Sequence, residues 1–341
     1  MSLGPRSAHR RIVLVEFLST RVEYGKTLAK LGETNQNIVV LDADLSGSTN
    51  TRLFANKFPD RFFNMGVSEQ DMMSTAAGLA ATGKIPFAST FAIFATGRAW
   101  EQVRQCIAYS LANVKIVSTH GGVTVGDDGG SHQAIEDIGL MRILPNMTVI
   151  VPADGVETRR VIETIVDTKT PVYVRTGRIA TPVIYDDKYK FRIGHASILK
   201  EGRHVTIVAV GLMVHIAMGA ADLLKKDGIS ATVINMSTIK PLDEDTLLES
   251  AKITGAVVTA EEHLISGGLG SAVCEVLADK YPCPVKRIGI QDRFGISGPP
   301  ERLLSYFGLT SQAIAEAAKK AIKAKKDCSS TEQPRIRTMR A

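Results

Sequence analysis

The sequence predicts an α/β protein of two domains, each a mostly parallel sheet flanked by helices. Short apolar runs rich in Val and Ile alternate along the chain with segments of helical periodicity, which is typical of parallel strands joined by helices. The alternation stops in a turn-rich stretch between Gly177 and Gly194 and then restarts. The 341 residues are enough to give each of two domains its own core.

The first domain is predicted to contain strands at 37–44, 114–118, 148–151 and 171–175, with helices at 72–82, 100–111 and 156–168. Ligands of open α/β sheets bind beyond the carboxyl ends of the strands. Asp44, Thr119-His120 and Arg175 end or directly follow predicted strands. We therefore expect these residues to lie near one shared site.

The second domain repeats the alternation, with strands at 204–211, 231–235, 256–260 and 285–290 and a helix at 214–226 that Gly228 ends. The predicted organisation is a first domain at 12–180, a linker at 181–194 and a second domain at 195–325. A basic tail at 326–341 is expected to be disordered.

Composition narrows the functional class. A hydrophobic content of 44% and a charged content of 22% are ordinary for a soluble globular protein. No apolar run is long enough to span a bilayer, and the first residues lack a signal-peptide core, so we expect a cytoplasmic protein that does not bind membranes. The 4 cysteines show no paired spacing, which favours free thiols in a reducing compartment.

The net charge of +6 is located in the C-terminal segment. Residues 319–340 contain five Lys and three Arg against Asp327 and Glu332, a balance of +6 that leaves the rest of the chain near neutral. No aromatic residues are interleaved with these charges, which argues against a nucleic-acid surface that stacks bases. We expect a solvated terminus.

Three segments of the first domain together suit a heteroaromatic ring that must be protonated and stacked. The first is Gly66-Val-Ser-Glu69-Gln-Asp-Met, which places one carboxylate at the start of a predicted helix. The second is Ser89-Thr-Phe91-Ala-Ile-Phe94, which supplies flat apolar side chains. The third is Gly126-Asp-Asp128-Gly-Gly-Ser-His132-Gln, a glycine-rich loop with two acids and a histidine.

This combination resembles the pyrimidine-binding half of the transketolase family of thiamine diphosphate enzymes. The Glu motif, the Thr-Phe-x-x-Phe run, Thr119-His120 and the glycine-rich loop occur in the family's order and spacing, over roughly residues 20–325. The resemblance covers only the second half of a full-length transketolase. It implies a pyrimidine-binding domain followed by a transketolase C-terminal-like domain that is mainly structural and helps the protein dimerise.

The resemblance implies the following cofactor site. Glu69 shares a proton with ring nitrogen N1′ of the aminopyrimidine and thereby activates the cofactor. Phe94 stacks on the pyrimidine, Phe91 forms a neighbouring wall, and Asp44 lies near the cofactor at a subunit contact. The structural alternatives are a helix-start Glu, core phenylalanines and an Asp that caps a turn.

The resemblance places His120, Asp128 and His132 around the donor end of the substrate. The histidines would contact donor oxygens and shuttle protons, since the pKa of histidine lies near neutrality, and Asp128 would bind a hydroxyl. Arg175 aligns with an arginine that binds the sugar phosphate, and Ser48 with a hydroxyl at the same end. The alternatives are a structural histidine and a surface salt bridge for Arg175.

The chain departs from the family pattern at several positions. Gly97 stands where the family has an aromatic residue, and Ser68 and Gln70 flank Glu69 where Arg and His are usual. Gly130 replaces a proline, so we expect a more mobile loop.

The Gly-Asp-Gly…Asn motif that holds the diphosphate through Mg²⁺ in the family is missing. We therefore assign no metal ligand to this chain. A partner subunit, an N-terminal transketolase section, is expected to carry that half of the site and to hold Mg²⁺. The active site would lie at the interface of a heterotetramer.

The predicted function is that of the C-terminal subunit of a two-subunit transketolase, which moves a two-carbon ketol unit from a ketose phosphate to an aldose phosphate. A deoxyxylulose phosphate synthase, a 2-oxo-acid dehydrogenase beta subunit and a non-catalytic paralogue are the alternatives. Thr119-His120 and His132-Gln-Ala-Ile-Glu136 favour a transketolase. A second glycine-rich segment, 261–271, resembles a nucleotide loop only weakly, and its His263 has no assigned role.

Overall fold

The computed structural model describes residues 16–330, with side chains through 327. Its strands are β1 Phe17–Ser19, β2 Ile38–Asp42, β3 Phe62–Asn64, β4 Ile85–Ser89, β5 Lys115–Ser118, β6 Thr148–Ile150, β7 Val172–Arg175, β8 Ala180–Pro182, β9 Ser197–Lys200, β10 Val205–Ala209, β11 Ala231–Asn235, β12 Thr238–Lys240, β13 Val257–Leu264 and β14 Val285–Ile290.

The α-helices are α1 Thr20–Thr34, α2 Ser46–Thr49, α3 Arg52–Ala55, α4 Glu69–Ala81, α5 Trp100–Gln102, α6 Asp137–Arg142, α7 Gly155–Ile165, α8 Met213–Lys226, α9 Glu244–Thr254, α10 Leu269–Lys280, α11 Pro300–Tyr306 and α12 Ser311–Ser330. Two wider π-helical segments, Phe94–Arg98 and Val103–Tyr109, flank α5. A single 3-10 turn lies at Pro59–Arg61, and Val123–Asp128 forms two 3-10 turns separated by a kink at Gly126. None of the helices within 16–330 is both long enough and apolar enough to cross a membrane.

The first domain is built on a seven-stranded sheet in the order β12-β6-β7-β5-β4-β2-β3. Its strands run parallel except β12, which comes from the second domain and pairs antiparallel with β6. Strands β2, β4, β5 and β7 are buried along their whole length, because helices cover both faces of a parallel sheet. This accounts for the near-continuous apolar runs in the sequence.

The second domain contains a five-stranded sheet in the order β14-β13-β10-β11-β9, in which only β9 is antiparallel. Helices α8 and α12 pack on one face and bury side chains such as Met213, Leu224 and Ile314. A separate apolar cluster runs from Leu41 and Tyr173 of the first domain to Val208 and Leu247 of the second. The fold class predicted from the sequence is confirmed, and the two domains share a continuous core.

The predicted linker is fixed against both domains. Strand β8 pairs antiparallel with β1, and the backbone amides of Ile184 and Tyr185 donate to Asp154 at 2.6 and 3.0 Å. Glu157, which is buried in the first domain, accepts hydrogen bonds from Tyr189 of the linker and from Asn235 of the second domain. This segment is therefore held by strand pairing and hydrogen bonds where the two domains meet.

The C-terminal helix extends beyond its predicted end. The prediction that disorder begins at residue 326 is wrong for 326–330, which continue α12, while 331–341 lie outside the described residues. Alanine and lysine have high helix propensity, and Ile314, Ala318 and Ala321 are buried on one face of this helix. The helix therefore continues through the charged residues. Residues 12–15 of the predicted first domain also lie outside the described part.

Candidate active site

Glu69 is a buried acid at the first position of α4. The turn before it contains Gly66 at φ +69°, a left-handed conformation that favours glycine, and α4 is anchored by the buried side chains of Met72 and Met73. The Glu69 side chain is 2% exposed, yet both of its oxygens accept hydrogen bonds from Nη1 of Arg98, at 2.9 and 3.0 Å. Arg98 is thus the partner of Glu69 in the described chain.

Four rings from three segments meet beside this acid. Phe91 and Phe94 lie nearly parallel with ring centroids 6.0 Å apart, and the His120 ring stacks on Phe91 at 3.8 Å. The His132 ring meets Phe94 edge-on at 5.3 Å. The Arg98 guanidinium lies 4.6 Å from the Phe94 ring centroid. The structure therefore brings together Glu69, both phenylalanines and both histidines predicted from the sequence.

His120 is held in an unusual environment directly after β5. It has φ +61°, is buried, and its Nδ1 lies 2.7 Å from the Thr119 hydroxyl. Burial lowers the pKa of His120 to about 3, and the nearby charges of Arg21, Arg178 and His132 act in the same direction. The imidazole is therefore neutral near pH 7, so it offers one N–H donor and one acceptor nitrogen. This state suits hydrogen bonding to a substrate oxygen better than general-acid chemistry by an imidazolium.

Two arginines lie at the far end of the site beside Asp128 and Ser48. Arg178 forms an ion pair with Asp128 at 3.6 Å and donates to the carbonyl of Val125. Arg21 donates to the carbonyls of Arg178 and Ser48, at 3.2 and 2.8 Å. Burial lowers the pKa of Arg21, and repulsion from Arg178 lowers it further. Two neighbouring guanidinium groups of this kind favour binding of a dianion.

Arg175 does not lie in this group, and the structure contradicts its predicted phosphate-binding role. Its guanidinium is buried, lies 2.9 Å from Asp137 and donates to the carbonyl of Glu262 at 2.8 Å. Burial alone would lower the pKa of Arg175, but the charges of Asp137 and Glu262 outweigh it and raise the pKa. Arg175 is the last residue of a central strand, so its side chain is enclosed, whereas Arg178 lies three residues beyond the end of that strand.

Asp44 lies at the end of β2 on the exposed surface, at φ +61°. Its carboxylate accepts a hydrogen bond from Asn64 at 3.0 Å, and Asn64 in turn accepts from the amide of Gly66 at 3.0 Å. Asp44 is thereby linked to the turn that precedes Glu69. Its contact with a cofactor stays a prediction.

The glycine-rich segment of the second domain is closed by its own carboxylate. Glu261 accepts hydrogen bonds from the amides of Leu269 and Gly270, both at 2.7 Å, at the N-terminus of α10. A phosphate would need these same donors. His263 is fully buried and its Nε2 accepts from the amide of Gly139 in the first domain at 3.2 Å. This segment is therefore structural, and His263 helps to join the domains.

The sequence reasoning missed Arg21, Arg98 and Arg178. Arg178 could have been found, because it follows a strand by three residues and ligands bind beyond strand ends rather than within them. Arg21 and Arg98 lie in helical segments, and their approach to the site depends on tertiary packing.

Comparison with known proteins identifies the family. Residues 17–183 match the pyrimidine binding domain of transketolase, and residues 194–314 match the transketolase C-terminal domain. A Methanocaldococcus jannaschii protein named as a transketolase C-terminal section is 52% identical over 87% of this chain and 94% of its own length. The 6-deoxy-6-sulfo-D-fructose transketolase subunit SqwH of Clostridium sp. is 42% identical over 87% of this chain and 92% of its own.

A longer relative and a solved structure support the same family assignment. Human transketolase is 38% identical over 89% of this chain, which spans 49% of the human protein. A solved structure described as a split gene transketolase, inactive beta4 tetramer, has a TM-score of 0.85 and 52% identity, and covers 90% of this chain and 99% of its own. The chain therefore belongs to the transketolase family and corresponds to the C-terminal section of those enzymes.

Proposed function

We propose that this chain is the C-terminal subunit of a thiamine diphosphate-dependent transketolase and transfers a two-carbon ketol unit between sugar phosphates together with an N-terminal subunit. The observation that supports this most directly is the contact of Arg98 with both Glu69 and Phe94. A protonated aminopyrimidine is also planar and cationic, and it would make the same two contacts: stacking on the Phe94 ring and a hydrogen bond to the Glu69 carboxylate.

The residues present fit the cofactor's pyrimidine end. The Arg98 guanidinium contacts the Glu69 carboxylate and the face of the Phe94 ring at the same time, as a planar nitrogen base would. Glu69 would hold the proton at ring nitrogen N1′, Phe94 would stack on the ring, and Phe91 would support Phe94. Asp44 would lie at the edge of the cofactor. When bound, the cofactor would supply a nucleophilic carbon for addition to the ketose carbonyl.

The donor end binds and orients the sugar. Neutral His120 would hydrogen-bond a donor oxygen, and His132, whose ring contacts Phe94, would exchange a proton with the donor. Asp128 would accept a hydrogen bond from a sugar hydroxyl. Arg21 and Arg178, with Ser48 beside them, would hold the phosphate, a role that we transfer from Arg175.

A second chain would complete the site. The chain aligns with about half of human transketolase, and a relative with 52% identity is described as an inactive tetramer of one chain type. We infer that an N-terminal transketolase section binds the diphosphate and Mg²⁺. Two copies of each chain would form a cytoplasmic heterotetramer that acts on pentose phosphates. The relatives named above are transketolases, which disfavours the synthase and dehydrogenase alternatives.

The test is reconstitution with an N-terminal transketolase section, thiamine diphosphate and Mg²⁺. We expect ketol transfer only when both chains are present, and a loss of about 10²–10⁴-fold in kcat for Glu69→Ala, the range for a lost acid–base group. Asp71→Ala, which removes an exposed acid from the same helix, is the matched control. Full turnover by this chain alone, or normal turnover by Glu69→Ala, would contradict the proposal. Failure to bind cofactor with the correct partner would favour a non-catalytic paralogue.

A further inference from the structure

The loop that carries the donor-side residues is packed against the second domain. This donor loop, Gly121–Gln133, begins directly after His120, contains Asp128, and includes His132 next to its last residue. Its inner side faces β7 of its own domain, where the amide of Gly121 donates to the carbonyl of Thr176 at 3.2 Å. The loop also contacts two parts of the second domain.

The first contact is made by Glu262, a buried carboxylate on β13. Its Oε1 accepts a hydrogen bond from the backbone amide of Thr124 at 2.6 Å. The same carboxylate lies so close to Gly122 that a Cβ at this position, which has φ +84°, would overlap it. The backbone just after His120 therefore rests directly on an acid of the other domain.

The second contact is made by the segment Gly295–Gly298. A Cβ at Gly130 would lie 2.6 Å from the carbonyl oxygen of Gly295, so the two backbones touch. Gln133 links this segment to the loop, because its side-chain amide lies within hydrogen-bond distance of the carbonyls of Ile296, Val123 and Gly126, at 2.9, 3.1 and 3.3 Å.

We propose that the second domain positions the donor loop, with Glu262 and Gly295 acting through the loop backbone and through Gln133. None of these three touches the reacting atoms in the proposed mechanism, so they are positioning residues. The proposal rests on the proposed function for the donor role of the loop. Its physical basis is that small displacements of reacting groups cost large factors in rate, so such a loop needs support from rigid elements.

The first test compares two glycines of one segment by hydrogen exchange of the isolated chain. In Gly295→Ala, the new Cβ would overlap the amide oxygen of Gln133 and displace this side chain from its carbonyl partners. In Gly298→Ala, the new Cβ would lie 3.5 Å from Leu303, an ordinary contact. We expect exchange of the donor-loop amides to rise about tenfold in Gly295→Ala, the effect of losing about one hydrogen bond, and to stay unchanged in Gly298→Ala.

The second test compares two buried acids that bridge the domains. Glu262→Ala removes the acceptor of the Thr124 amide, Glu262→Gln retains an acceptor oxygen, and Glu157→Ala breaks the bridge to Asn235 away from the loop. In the reconstituted enzyme we expect kcat/KM for the donor to fall about tenfold in Glu262→Ala, with recovery in Glu262→Gln. Glu157→Ala should leave kcat/KM for the donor within a factor of about two per folded molecule, since the coupling energy between distant sites is small.

The outcomes separate the two proposals. Unchanged loop exchange in Gly295→Ala, or an equal loss of donor kcat/KM in Glu157→Ala and Glu262→Ala, would overturn the positioning role. If the wild-type assembly shows no ketol transfer, the proposed function fails, and hydrogen exchange still decides whether the second domain orders this loop.

Discussion

The two ends of the candidate site are held in different ways. At the pyrimidine end, Glu69 has one side-chain partner among residues 16–327, Arg98, whose own side chain is 48% exposed. The neighbouring Val67 is 73% exposed. At the donor end, the loop is fastened to both domains through Glu262 and Gln133. The difference indicates that the donor end is pre-organised within the chain, whereas the pyrimidine end has an open side that suits a partner surface.

The largest expected effect comes from removing the buried anchor beneath the donor end. Arg175→Met leaves Asp137 charged and buried, because the ion pair at 2.9 Å is lost. Breaking a buried pair in this way costs about 3–5 kcal/mol of the free energy of unfolding. Urea denaturation would measure it. Arg159→Met removes a pair to the exposed Asp187 and a pair to the buried Glu23, which retains Lys26 as a partner. This variant should cost less than Arg175→Met and serves as the control. Equal losses would refute a structural anchor.

The next prediction distinguishes the role of Arg178 in phosphate binding from the structural role of Arg175. Arg178→Gln should leave stability unchanged, since Arg178 is partly exposed, and should raise KM for a ketose phosphate by about 10–100-fold, the loss of one charged hydrogen bond of about 1.5–3 kcal/mol. Steady-state kinetics of the reconstituted enzyme would measure this. A ketose without phosphate is the control substrate and should show no change. An equal rise for both substrates would exclude phosphate recognition by Arg178.

The third effect, small for each pH unit, concerns His120. Its pKa in the folded chain is about 3, against 6.5 in a model peptide, so the unfolded chain binds more protons between these values. Stability from this group is complete above pH 6.5 and is lost as the pH falls towards 3, by at most about 1.4 kcal/mol per pH unit. His120→Gln should flatten this slope in urea denaturation. An NMR titration of the His120 ring with a midpoint near 6.5 would contradict it.

The smallest effect concerns Arg98 at the open end. Arg98 contacts Glu69 and the face of the Phe94 ring, where the cofactor would bind. Arg98→Gln should therefore tighten thiamine diphosphate binding by about 2–5-fold, which corresponds to an exposed cation–π contact of about 0.5–1 kcal/mol. Calorimetry on the reconstituted assembly would measure the Kd. Arg104→Gln, which changes an exposed arginine of the following helical segment, is the control. Weaker binding in Arg98→Gln would mean that Arg98 holds the cofactor.

Much of the fold followed from local patterns. Strands at 231–235 and 285–290 were predicted at their observed bounds. The first is buried along its whole length in a mostly parallel sheet, whereas the second is the edge strand of that sheet and exposes Lys286 and Arg287. Strand β12 was not predicted, since its three residues carry too little periodicity and its pairing with β6 spans two domains. The end of the C-terminal helix was misplaced, because charge alone does not end a helix.

Some residues of the candidate site were predicted from the sequence and others were not, for a related reason. Glu69, Phe91, Phe94, His120, Asp128 and His132 lie in short contiguous motifs that are visible in the sequence. Arg175 and Arg178 lie three residues apart in one motif, and their opposite environments depend on where β7 ends. The rule that ligands bind beyond strand ends favours Arg178, but it can be applied only once the end of β7 is known.

The sequence by itself determined the alternation of strands and helices, the acid at a helix start, the aromatic pair and the glycine-rich loop, because these depend on neighbouring residues. Tertiary structure alone decided that Arg175 is enclosed, which cation pairs with Glu69, and how the second domain contacts the donor loop. Such contacts join residues far apart in the chain, such as Thr124 and Glu262. Their geometry follows from packing the two sheets together, which local chemistry does not specify.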